Sequence, residues 1–212
     1  MLGLDPATLF ARIIVLLVAF TIHEFAHAWA ATQLGDNTPS MYGRLTLNPL
    51  AHLDPMGSLL LIVAGFGWAK PVPVNPYILQ RRSPAALMLV SLAGPFSNFL
   101  LAILAAIPFR VGWLSLIDVY TQGAFFPNAA QICYAFVFIN LVLMLFNLIP
   151  VAPLDGDKIA EYFLPPSMAR HLETIRPYGP VILIVIVFVL PRIGVDIIGG
   201  PLGALLELLL IG

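Results

Sequence analysis

The sequence predicts an all-α polytopic membrane protein with about four to six membrane helices and a short extended or β segment after the first helix. The 212 residues are 60% hydrophobic and only 10% charged, and the mean hydropathy is +0.96. Several apolar runs approach the roughly 20 residues that a helix needs to cross a bilayer. We therefore expect one integral-membrane domain over residues 1–212, in contact with the lipid bilayer.

The first apolar run predicts a helix over residues 8–34, which ends at Gly35 and a polar turn. The apolar run at residues 56–68 is short for a span, so we expect a re-entrant or interfacial segment there. Residues 70–76 contain three prolines, a density that excludes a helix and favours an extended strand.

Later apolar runs predict spans at residues 84–108 and 128–148, a shorter one at 180–190, and a last apolar stretch at 202–211. The loops at 35–83 and 151–178 then lie on one side of the membrane and hold most of the basic residues. These are Arg44, Lys70, Arg81, Arg82, Lys158, Arg170 and Arg176. The positive-inside rule places this side in the cytoplasm. The compactness of the chain indicates a prokaryotic plasma membrane.

Charge and cysteine content exclude several classes of function. The net charge is -1, and the scattered basic residues form no stripe, so nucleic acid is not an expected partner. Cys133 is the only cysteine, which excludes an intrachain disulfide and a cysteine-based metal cluster. Any metal ion must therefore bind histidines and carboxylates.

His23-Glu24-Phe25-Ala26-His27 has the form H-E-x-x-H and lies within the first predicted helix. Two histidines four residues apart share one face of a helix and can bind one zinc ion, Zn2+. Glu24 lies beside them, where a carboxylate can take a proton from a water activated by the metal. Because three ionisable residues are costly to bury in a membrane, we expect a functional metal site, near the cytoplasmic end of the helix.

A catalytic zinc ion usually has a third protein ligand. The candidates in the chain are His52, Asp54, Asp118, Asp155, Asp157, Glu161, His171, Glu173, Asp196 and Glu207. The predicted topology puts Asp118 and Asp196 on the opposite side of the membrane. Asp155 follows the cytoplasmic end of the third span, where prolines break the helix, and it is the best candidate by position.

Two further motifs accompany H-E-x-x-H. Asn147-Leu-Ile-Pro150 is followed by Leu154-Asp155-Gly156, and Gly94-Pro-Phe-Ser-Asn98 lies on the helix between. In this order and spacing, the three motifs resemble those of the site-2 protease family of intramembrane metalloproteases. The resemblance covers roughly residues 13–163.

The resemblance implies a three-helix catalytic core at about residues 13–163, and the apolar runs beyond it predict C-terminal membrane helices at about 178–212. It implies one Zn2+ per chain, bound by His23, His27 and Asp155, and Glu24 as the catalytic base. Asn147 would orient the substrate or stabilise the oxyanion. The reaction would be hydrolysis of a peptide bond in a membrane-anchored protein substrate.

Some assignments keep a structural alternative. Asp157 competes with Asp155 as the third ligand, and Asn147 is equally well explained as a helix-packing amide. For Asn98, packing between helices is the favoured role. A role in the turn is favoured for His52 and Asp54. The segments at residues 44–47 and 72–75 present either a strand edge for substrate or a plain hairpin.

Two other functions use the same residues. A metal transporter would bind the ion with the same histidines, but no inverted repeat is visible in the sequence. A catalytically inactive scaffold would not need the complete set of His23, Glu24, His27 and Asp155.

Overall fold

The computed structural model describes residues 5–57, 67–121 and 125–211. Its helices are α1 (Pro6–Gln33), α2 (Thr38–Met41), α3 (Pro76–Arg82), α4 (Ala86–Arg110), α5 (Leu116–Val119), α6 (Ala129–Asn147), α7 (Asp155–Phe163), α8 (Pro166–Ile193) and α9 (Gly199–Leu210). Four of them, α1, α4, α6 and α8, are long and apolar enough to cross a membrane. The chain is thus an all-α polytopic membrane protein, as the composition predicts.

Local signals in the sequence set both ends of α1. Asp5 caps the helix, since its side chain accepts a hydrogen bond of 3.0 Å from the backbone nitrogen of Thr8, and Pro6 occupies the first turn, where its missing N–H costs nothing. The helix ends one residue before Leu34, and Gly35 follows with φ of 94°, a left-handed conformation that favours glycine.

α1, α4 and α6 pack against one another and form the core of the fold. Small residues on α4, Ala102 and Ala106, lie against Val137 and Leu141 of α6 and allow the two helices to approach closely. Leucines of α9 cover the far side of this cluster. The three-helix core places the H-E-x-x-H face of α1 against α4 and α6.

The prediction for the fourth span was too short. Helical backbone runs over Pro166–Ile193 rather than residues 180–190. Its first part, Pro166–Ile175, is amphipathic, so a search for apolar runs misses it. In the sequence the prolines of this region predict breaks in the helix, but a tight 3-10 turn at Arg176–Tyr178 accommodates them. A wider π-helical turn follows at Val185–Val189.

The predicted β segment is reduced to one bridge. Among the described residues there is no regular strand, and Leu53 and Ala69 form a single antiparallel bridge, with Lys70 N donating to His52 O at 2.8 Å. The physical reason is that prolines 71, 73 and 76 carry no N–H and cannot extend a ladder. We call residues 67–75 the strap. Most of the predicted re-entrant segment at 56–68 lies outside the described residues.

Candidate active site

Three buried polar side chains project from the C-terminal half of α1. His23, Glu24 and His27 each have less than a tenth of their surface exposed. The helical spacing brings the two imidazole rings edge to face, with ring centroids 4.6 Å apart. Their Nε2 atoms lie 3.0 Å from each other.

Asp155 approaches this pair from the first turn of α7. Its Oδ2 atom lies 3.2 Å from Nε2 of His23 and 3.3 Å from Nε2 of His27. The described residues contain one group of three or more metal-ligating side chains within mutual reach, and it consists of these three. The sequence-predicted candidates thus lie together in space.

Asp157, the competing aspartate, is engaged elsewhere. Its carboxylate accepts two hydrogen bonds from Nε of Arg176, at 2.9 and 3.1 Å, and Lys158 lies 3.5 Å away. Asp157 also lies outside the group of mutually close ligating atoms that His23, His27 and Asp155 form. The geometry therefore favours Asp155 over Asp157 as the third ligand.

A chain of amides holds His23 in one orientation. Asn140 on α6 donates from Nδ2 to the backbone oxygen of Phe136 at 2.9 Å, which directs its own Oδ1 toward Asn98. Asn98 Nδ2 donates to that oxygen at 2.8 Å, and Asn98 Oδ1 lies 2.6 Å from Nδ1 of His23. A carbonyl oxygen can only accept a hydrogen bond, so the donor and acceptor at each contact of this series are determined. His23 must therefore donate from Nδ1 and carries its proton there.

The backbone of α4 orients His27 in the same way, by accepting a hydrogen bond from its Nδ1 atom. Its Nδ1 donates to the carbonyl oxygen of Val90 at 2.7 Å. In a neutral imidazole the other nitrogen is then an acceptor. Both histidines therefore present an Nε2 lone pair to the same point, the arrangement that outer hydrogen bonds impose on metal-binding histidines.

The three inward atoms fit a zinc ion. When both imidazoles are neutral, neither Nε2 carries a hydrogen and their contacts with Asp155 Oδ2 are not hydrogen bonds; this buried oxygen has no hydrogen-bond partner among the described residues. Three acceptors separated by 3.0, 3.2 and 3.3 Å repel one another unless a cation lies between them. A tetrahedral site with ligand distances of about 2.0–2.1 Å has edges of roughly 3.3 Å, close to these separations.

Gly94 on α4 closes one side of the histidine pair. A Cβ atom at this position would lie 2.6 Å from Nε2 of His23 and closer still to Nε2 of His27. Any side chain here would occupy the space beside both Nε2 atoms. The glycine of the G-P-x-x-N motif is thus explained by contact with the site.

A cavity of about 350 Å³ opens next to these residues. Glu24 and Asn147 line it together with the two histidines and Asp155. Six residues of the strap form one wall, namely Gly67, Trp68, Ala69, Pro71, Val72 and Val74, and apolar side chains such as Phe146 form another. Asn147 also donates from Nδ2 to the carbonyl oxygen of Leu143 at 3.0 Å. A carboxylate and an amide therefore face a space beside the three candidate ligands.

Other polar residues lie outside this cavity. His52 is fully buried and bonds the backbone oxygen of Thr46 at 2.8 Å, and Asp54 accepts from Gly57 N at 2.8 Å, in keeping with roles in the turn. The role expected for Asn98, packing between helices, was incomplete, because its side chain also bonds His23. Asn140 was missed altogether, since a lone amide in an apolar helix carries no motif.

Comparison with known proteins gives a consistent result. Residues 110–190 match Peptidase family M50. The chain is 42% identical over 184 residues to a Bacillus subtilis protein named "Putative zinc metalloprotease YwhC". The aligned region covers 84% of this chain and 80% of that protein. It is 33% identical over 176 residues to "Putative zinc metalloprotease Rip2" of Mycolicibacterium smegmatis, covering 80% of this chain and 63% of the relative.

The Rip2 protein of Mycobacterium tuberculosis strain H37Rv is similar to the same extent, at 32% identity over 176 residues. No solved structure matches the chain. The identity and coverage shared with the Bacillus subtilis protein, together with the family match, show that this chain belongs to peptidase family M50, the site-2 protease family of zinc metalloproteases.

Proposed function

We propose that the protein is an intramembrane protease that hydrolyses peptide bonds within or next to the transmembrane segments of membrane-anchored proteins. The observation that carries this proposal is the position of the cavity. His23, His27 and Glu24 lie within a helix long and apolar enough to span the bilayer, and the cavity is walled by two other such helices. A substrate must therefore reach the site from within or beside the membrane.

In this proposal His23, His27 and Asp155 hold a single zinc ion. When bound, zinc supplies the Lewis acidity that activates water and polarises the substrate carbonyl. Glu24 lies on the same cavity wall as the two histidines. We assign to it the removal of a proton from the attacking water and the delivery of that proton to the amine nitrogen of the leaving peptide.

The strap and Asn147 are assigned to the substrate. The extended backbone of the strap forms a cavity wall, and a substrate helix that unwinds can pair with such a backbone while its side chains enter the cavity. The Asn147 amide has a second N–H besides the one bonded to Leu143, which suits it to contact the substrate carbonyl.

The proposal places the site near the cytoplasmic face of a prokaryotic plasma membrane. The basic residues of the segments at 35–83 and 151–178 support this orientation, because segments beside membrane spans that are rich in lysine and arginine stay in the cytoplasm. We further propose that residues 1–212 act as one domain, with the catalytic core at about 13–163 and C-terminal membrane helices at about 178–212.

The proposal is tested with purified protein in detergent and a panel of single-span test substrates. Wild type is compared with Glu24→Gln, which keeps the size of the side chain but removes the base, and bound zinc is measured in both. We expect cleavage by wild type alone, with zinc retained in both proteins. Cleavage by Glu24→Gln at the wild-type rate would show that Glu24 is not the base.

The same experiment separates the two alternative functions. Zinc binding with no cleavage across a broad panel of substrates would favour a transporter or a scaffold. A transport assay in zinc-loaded vesicles would then distinguish these two, since only a transporter moves the ion across the bilayer.

A further inference from the structure

The segment that presents Asp155 is a tight turn between α6 and α7. Gly156, the next residue, packs against the backbone of the end of α6, where an added Cβ would lie 2.5 Å from the carbonyl oxygen of Leu148 and 2.6 Å from the carbonyl carbon of Ile149. The turn therefore folds back onto the C-terminal end of α6. A small rotation of α7 would move the Asp155 carboxylate away from the histidines, because the residue lies in the first turn of that helix.

α8 supports this turn from outside. Gly179 is buried, and a Cβ added there would strike the backbone of Ala152, whose carbonyl carbon would lie 2.8 Å away. The close approach of α8 to the turn at residue 152 requires a glycine. The part of α8 at Gly179, just after the 3-10 turn, and the segment that carries Asp155 are thus in direct backbone contact.

Arg176 adds an ionic clamp at the same place. Its Nε donates to both oxygens of Asp157, at 2.9 and 3.1 Å, and its Nη2 bonds Oε2 of Glu161. Asp157 has only 3% of its surface exposed, so this pair is shielded from solvent on the carboxylate side. Asp157 and Glu161 lie one turn apart on α7, and one guanidinium holds both.

We propose that Arg176 is a positioning residue for the metal site, which acts through Asp157 to fix the rotation of α7 and hence the place of Asp155. The inference rests on the proposed function, in that Asp155 is taken as a metal ligand. The fork of the guanidinium suits this role, because Nε binds Asp157 while Nη2 binds Glu161, and two donors of one rigid plane fix orientation as well as distance. A lysine preserves the charge but not the fork.

The test measures the zinc Kd of detergent-purified protein by competition with a chromophoric chelator, and the visible spectrum of the Co2+-substituted protein. The variants are Arg176→Ala, Arg176→Lys, Asp157→Asn and the double variant Arg176→Ala/Asp157→Asn. Arg170→Ala is the matched control, an exposed arginine of the same helix with no ion pair among the described residues. Helicity and gel filtration verify folding.

We expect Arg176→Ala to weaken zinc binding by up to about 10-fold, the lower end of the effect of groups that bond a ligand directly, because Arg176 acts on Asp155 only through Asp157. Arg176→Lys should fall between Arg176→Ala and wild type, and the double variant should bind zinc no more weakly than Arg176→Ala. The Co2+ spectrum should change in Arg176→Ala and stay unchanged in Arg170→Ala. A purely structural role would lower the thermal midpoint of the metal-free protein but leave the zinc Kd and the Co2+ spectrum unchanged.

Folded Arg176→Ala with the zinc Kd and Co2+ spectrum of wild type would overturn the inference. If Arg176→Ala does not fold, Arg176→Lys decides, since wild-type affinity in that variant would equally overturn it. Failure of the proposed function has a different signature, namely that His23→Ala binds zinc as tightly as wild type. The two failures are therefore distinguishable in one series of measurements.

Discussion

The side-chain oxygen of Asn98 lies 2.6 Å from Nδ1 of His23. This contact joins α4 to α1 at the candidate metal site and determines which nitrogen of the imidazole faces inward. Removing the acceptor in Asn98→Ala frees the ring to rotate and to change tautomer. We expect the zinc affinity to fall by about 10- to 100-fold. Chelator competition measures the change, and Ser97→Ala, one residue away, is the control that should keep wild-type affinity.

Asn140 should act on the metal only through Asn98. Its Oδ1 accepts from Asn98 Nδ2 at 2.8 Å, while its own Nδ2 is held by the backbone of α6. We expect Asn140→Ala to weaken zinc binding less than Asn98→Ala, and the double variant to match Asn98→Ala alone. Additive losses in this double-mutant cycle would show that the two amides act independently.

Gly94→Ala should remove zinc without unfolding the protein. The added methyl group would enter the space beside Nε2 of both His23 and His27. In an exposed helix the same substitution typically stabilises by about 0.5–1 kcal/mol, so loss of metal with intact helicity points to the site itself. Zinc content and circular dichroism provide the two readouts.

Gly203→Ala is the matched control for this substitution. It lies in α9, where an added Cβ meets nothing within 4 Å. It should retain zinc and activity. Wild-type zinc content in Gly94→Ala would contradict the close packing of α4 against the histidine pair.

Arg44→Ala should affect the substrate rather than the metal. The guanidinium is buried and donates to three carbonyl oxygens, those of Ala51, Lys70 and Pro71, at 2.6, 3.2 and 3.1 Å. It therefore ties the strap to the preceding loop. We expect a higher KM or a lower kcat/KM with an unchanged zinc Kd, and exposed Arg82→Ala as control should match wild type. A weakened zinc Kd would contradict this separation of roles.

The parts of the structure that depend on local pattern could be predicted from the sequence. Apolar run length locates α1, α4 and α6 within two residues at each end, and the four-residue spacing of His23 and His27 predicts one shared helical face. The extent of α8 could not be predicted in this way, because its first part is amphipathic and contains prolines that are accommodated by local changes of helix type.

Long-range contacts account for the remaining differences. The link from Asn140 through Asn98 to His23 depends on the rotation of three helices about their axes, which no local pattern encodes. The ion pair of Asp157 with Arg176 joins residues that are 19 apart in the sequence. It separates the role of Asp157 from that of Asp155, and this pairing is visible only in the folded structure. The strap forms a single β-bridge rather than the predicted strand, because its prolines lack the N–H groups that a strand needs to pair.

The most direct test of the metal site is the zinc content of purified protein, measured by inductively coupled plasma mass spectrometry, for wild type and for the single variants His23→Ala, His27→Ala and Asp155→Ala. Asp157→Asn serves as the control for Asp155→Ala. The geometry predicts one zinc ion per wild-type chain, loss of zinc in the three ligand variants, and weakened but detectable binding in Asp157→Asn. Full zinc occupancy in Asp155→Ala together with complete loss in Asp157→Asn would contradict the assignment of the third ligand.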